Sequence, residues 1–73
     1  MTEYNLTVII QKDEDGNFIA ICPALQGCYT DGETLEDALD MIRDAIKLHI
    51  EARLENGEPI PVEVYSAQLQ IAV

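Results

Sequence analysis

The chain has 73 residues, enough for one domain and no more. Fourteen acids against four bases give a formal net charge of -10, which repels phosphates and argues against direct binding of DNA or RNA. A domain this small buries only about 60 % of its unfolded surface, so association with a copy or a partner would relieve a marginal stability.

Residues 1–11 carry Glu3 and no basic start, and the apolar run Val8-Ile9-Ile10 is too short for a signal peptide. No stretch reaches the roughly 20 apolar residues of a membrane helix. A cytoplasmic location is therefore expected, with both cysteines reduced.

Residues 4–11 alternate. Tyr4, Leu6, Val8 and Ile10 fall on one face, with Asn5, Thr7, Ile9 and Gln11 on the other, the period of a half-buried strand. Asp15-Gly16 signals a hairpin turn, and residues 17–22 read as the returning strand. That second strand is apolar on both faces, as a central strand with cover on each side would be. Pro23 ends its ladder, and residues 27–30 form a short third strand beside it.

Thr34 is placed to cap a helix from Leu35 to about Glu55, its hydroxyl accepting from the Asp37 amide while Asp37 reaches back. Leu35, Ala38, Leu39, Ile42, Ala45, Ile46, His49 or Ile50, and Arg53 or Leu54 recur at helical spacing. Acids crowd the first half and bases follow, which complements the helix dipole. Asn56-Gly57 and two prolines end the helix. Its length of roughly 30 Å would let it cross the whole sheet and cover one face.

Residues 62–73 alternate again. Tyr65, Ala67, Leu69, Ile71 and Val73 share one face, opposite Val64, Ser66, Gln68 and Gln70. The expected fold is α+β, β-β-β-α-β. A four-stranded mixed sheet in the order 3-2-1-4 carries a single helix on one face. The fourth strand returns parallel to the first, on its free side.

Few residues point to chemistry. The spacing of Cys22 and Cys28 matches neither a C-x-x-C redox pair nor a zinc knuckle. Packing, an occasional disulfide and metal binding are the three readings, with packing favoured. His49 has no evident nucleophile to serve, and Asp13-Glu14-Asp15 is a solvated turn rather than a calcium loop. No catalytic, cofactor or metal residues are assigned, and no cofactor is expected. Met41, Leu48 and Ala52 lie beside the main apolar stripe, as edge packing or as a contact with another chain.

The run GNFIAICPALQGCYTDGETLEDALDMIRDAIKLHIEARLENGEPIP resembles the HicB family, antitoxin partners of HicA toxins. Its recurring pieces stand here in order. A glycine hairpin spans 16–21, Pro23 to Cys28 form the turn, Gly32 to Ala38 the helix start, and Gly57 to Pro61 the exit. Asp37 stands where glutamate is commoner. The resemblance covers residues 4–73 and implies a partial RNase H-like fold, dimers or higher oligomers, and masking of a small basic mRNA-cleaving toxin. Relatives often add a C-terminal DNA-binding domain, and residues 1–73 are read as a single HicB-like domain without one. Nuclease chemistry is not expected, because the first strand offers no carboxylate after Glu3.

The protein is thus read as a non-catalytic antitoxin. Asp31, Glu33, Glu36 and Asp40 are the candidate toxin contacts, chosen for charge and exposure. Met41, Leu48 and Ala52 are the candidate oligomer contacts. The alternative is a solitary HicB-like oligomer without a toxin, its final strand pairing across subunits.

Overall fold

The computed structural model describes residues 2–73. Three short strands form an antiparallel meander in the order β1-β2-β3: β1 (Ile9–Lys12), β2 (Phe18–Ile21) and β3 (Tyr29–Gly32). One helix follows, α1 (Leu35–Glu55). Ile9 faces Ile21 and Lys12 faces Phe18 across the first pair; Ile21 faces Tyr29 and Phe18 faces Gly32 across the second.

The hairpin turn is built on Asp13. Its carboxylate accepts from the amides of Asp15 and Asn17, each at 2.9 Å, so the acid run is a turn in which one acid is structural. Between β2 and β3 the chain makes two interlocked turns. The Leu25 amide donates to the Cys22 carbonyl and the Cys28 amide to the Leu25 carbonyl, while the Cys22 amide donates to the Cys28 carbonyl at 3.0 Å. This corner buries Cys22, Leu25 and Cys28, which with Ala20, Ala38 and Ile42 form the core.

The helix begins and ends as its sequence dictates. The Asp37 amide donates to the Thr34 hydroxyl at 3.1 Å. The reciprocal bond to the Asp37 carboxylate is not among those formed by the described residues. At the other end the Gly57 amide donates to Leu54 and the Glu58 amide to Arg53, a Schellman pair that needs the positive φ of Gly57 (70°). The Arg53 guanidinium also donates to the Pro59 carbonyl at 3.2 Å, which ties the exit to the last turn.

Three expectations are corrected. The first strand is shorter than residues 4–11, because only Ile9–Lys12 have a ladder partner in β2. The third begins at Tyr29 rather than at residue 27, since the double turn uses the Cys28 amide. The fourth strand, and with it the order 3-2-1-4, is not found. Residues 62–73 join no sheet, and at their start the Thr7 amide donates to the Glu63 carboxylate where a ladder bond would run.

The helix also fails to cover the whole sheet. It packs on β3 and, less extensively, on β2, leaving β1 beyond its reach. Leu35, Leu39 and Leu54 of its apolar stripe stay exposed. The radius of gyration is 13.9 Å, against about 11 Å for a compact chain of this length, because the tail lies outside the packed core.

Candidate functional site

The β3–α1 corner carries the predicted acids. The Thr30 hydroxyl donates to the Ala38 carbonyl at 3.3 Å, so Thr30 points at the helix. Asp31, one residue on, therefore faces the opposite, helix-free side of the sheet. Gly32 sits against the first helical turn, where an added Cβ would lie 2.7 Å from the Ala38 amide nitrogen. Glu33 occupies the short link to the cap. Glu36 and Asp40, four residues apart, share the outward side of the helix.

All four acids are exposed, but they do not converge on one point. Asp31 looks away from the helix, and Glu36 and Asp40 look along it. They frame a corner instead of making a pocket. Asp40 lies 3.7 Å from Arg43, both well exposed, so this pair contributes little to stability. Met41, Leu48 and Ala52 are exposed on the other flank of the helix.

Sequence reasoning missed the apolar half of this corner. Tyr29 is 69 % exposed beside Asp31, and Ile9 is exposed on the same open face of the sheet. The signal was present: β2 is apolar on both faces, yet the single helix covers one.

The cysteines are free, buried and part of the core. Burial pushes both thiols up from their ordinary range; amide hydrogen bonds from Leu25 and Ala24 offset part of this at Cys22. Thiols held protonated are weak nucleophiles and weak metal ligands. His49 is half-buried on the helix. Among the described residues, no three His, Cys, Asp or Glu side chains gather as metal ligands would. Nor is any described helix long and apolar enough to cross a membrane.

The corner is thus an exposed acidic surface with an exposed aromatic beside it. The family model described as the HicB-like antitoxin of bacterial toxin-antitoxin systems matches residues 6–72. The chain belongs to the HicB-like antitoxin family. Relatives of this HicB-like chain include a UPF0150 protein of Synechocystis sp., 43 % identical over 60 residues, which are 82 % of this chain and 76 % of that one. A UPF0150 protein of Thermoplasma acidophilum is 49 % identical over 55 residues (75 % and 80 %), and one of Archaeoglobus fulgidus 37 % over 59 residues (78 % and 86 %). No solved structure is significantly similar to the HicB-like chain.

Proposed function

We propose that this HicB-like antitoxin is non-catalytic and neutralises a small, basic, mRNA-cleaving toxin of HicA type by covering its RNA-binding or catalytic surface. The observation that carries this reading is the family match across residues 6–72. The charge supports it: an acidic domain attracts a basic partner and repels the RNA that partner would bind. Asp31, Glu33, Glu36 and Asp40 speed and orient the encounter. Tyr29, with Ile9 on the same face, supplies the apolar anchor that gives most interfaces their energy.

Titration calorimetry with a HicA-type toxin, at low and at high salt, tests the reading. Replacing all four acids by lysine is expected to weaken binding about tenfold or more and to flatten its salt dependence. Unchanged affinity and salt dependence would remove these residues from the interface.

The exposure of Met41 (54 %) and Leu48 (65 %) favours a second role, contact with another copy through Met41, Leu48 and Ala52. The protein would then act as a solitary structural or regulatory oligomer. Leu48→Glu is expected to lower self-association measured by light scattering. An unchanged mass removes this contact.

A further inference from the structure

Cys22 and Cys28 face each other across the end of the sheet. The β2–β3 register pairs Ile21 with Tyr29, and one step farther it sets Cys22 directly opposite Cys28. The Cys22 amide donates to the Cys28 carbonyl at 3.0 Å, so the backbone pairing reaches this position although β2 and β3 end just before it. Residues opposed across an antiparallel pair send their side chains to one face. Here that is the helix side, the side to which Ala20 and Thr30 also point, two residues back along each strand. Both thiols enter one core, among Ala20, Leu25, Ala38 and Ile42.

The spacing suits a covalent bond. Opposed residues of a hydrogen-bonded antiparallel pair have Cα atoms about 5.5 Å apart, inside the roughly 4.4–6.8 Å that a disulfide spans. Their Cβ atoms, about 4.5–5.5 Å apart, must draw in toward about 3.8 Å. The backbone is free to yield. A full ladder pair exchanges two bonds, but here the Cys28 amide turns away to the Leu25 carbonyl at 3.1 Å.

We propose that Cys22 and Cys28 form a redox couple, which exchanges with a small-molecule disulfide to make a bond across the β2–β3 corner and reopens under excess dithiol. One cysteine sulfur attacks the small disulfide, gives up its proton and displaces one thiol. The other cysteine then attacks the protein sulfur of that mixed disulfide, gives up its proton and displaces the second thiol. Two protein S–H bonds and the reagent's S–S bond are lost; one protein S–S bond and two reagent S–H bonds replace them. The protein is oxidised and the reagent reduced.

Burial sets the pace. Cys22 is 1 % exposed and Cys28 2 %, so exchange waits for the corner to open. The segment that must open is short and superficial. Pro23, Gln26 and Gly27 are exposed, and Leu25 is the one residue between the cysteines that is buried. Once the first sulfur has reacted, the second stands opposite it, at an effective concentration that another molecule does not reach. Ring closure therefore outruns both accumulation of the mixed disulfide and bonding between chains. Drawing the Cβ atoms together strains the bond, and strained disulfides are the readily reduced ones. The bond ties down the start of β3, the strand that carries Tyr29 and Asp31, with or without a toxin.

Glutathione disulfide is the probe, incubated with the native full chain and followed by intact mass and thiol titration. Both thiols should be lost together, the monomer should lose the mass of two hydrogens, and no glutathione should stay attached. The chain has two cysteines, so that mass change at monomer size identifies the bond. Helix content by circular dichroism should be kept, and excess dithiothreitol should restore both thiols. The proposal is overturned if the thiols react only after urea has unfolded the chain. A lasting glutathione adduct on one cysteine, a bond between two chains, or a bond that dithiothreitol does not open from the folded protein would overturn it as well.

Discussion

Gly32 joins the sheet to the helix because it has no side chain. It ends β3 opposite Phe18, and the backbone of the first helical turn rests where its Cβ would be. An alanine there would lie 2.7 Å from the Ala38 nitrogen and 2.9 Å from the Asp37 Cβ. Neither neighbour can give easily. The nitrogen belongs to the helix backbone, and its amide is bonded to the Thr34 carbonyl at 3.1 Å. Gly32→Ala is therefore expected to destabilise the fold by about 1–3 kcal/mol, the usual range for overpacking, read as a lower urea midpoint at unchanged slope. The same substitution would move the acidic corner, since Asp31 and Glu33 flank the contact. The sequence announced a glycine before a cap, but only the packed structure shows that closeness, rather than a turn, requires it.

At the scale of elements, legibility followed the source of each element's stability. The helix was readable to the residue because its determinants are local: Thr34 caps it, Gly57 stops it, and the apolar spacing lies within one segment. The strands were less readable because a strand exists only with a partner. Residues 4–8 alternate as well as Ile9–Lys12, yet β2 is long enough to pair only the latter. Residues 62–73 alternate best of all and pair with nothing. The first contact of that tail is electrostatic. Hydrogen bonds from the Thr7 hydroxyl and amide hold the Glu63 carboxyl below its usual pKa of 4.5. A carboxylate with a lowered folded-state pKa stabilises its contact above the unfolded value and loses it as pH falls through the folded value. The Thr7 amide resonance is thus expected to titrate below pH 4.5, together with loosening of the tail. Glu63→Gln should abolish that titration while leaving the helix intact. A Thr7 amide unmoved by acid would show that the tie does not form in solution.

For the whole molecule, charge was the most legible property and the hardest to place. Composition alone gave the net charge of -10 and the expectation that phosphates are repelled. It could not show that Asp31 faces away from Glu36 and Asp40, because that depends on Thr30 pointing at the helix. Nor could it show the exposed Tyr29, because coverage of β2 depends on where the helix lands. The charge has two consequences of opposite sign. Within the free protein, acids repel one another, and among the described residues the ion pair that offsets them, Arg43 with Asp40, is exposed on both sides. Toward the basic toxin proposed above, the same acids would attract. Raising ionic strength from about 0.01 to about 0.15 M shortens the screening length from about 30 to about 8 Å. Salt should therefore raise the melting temperature of the free antitoxin while slowing its association with the toxin. Scanning calorimetry and stopped-flow association over one salt series separate the two effects. If association with a HicA-type toxin proceeds at the same rate across that series, the acids do not steer the encounter, and the acidic corner is not the surface proposed for the toxin.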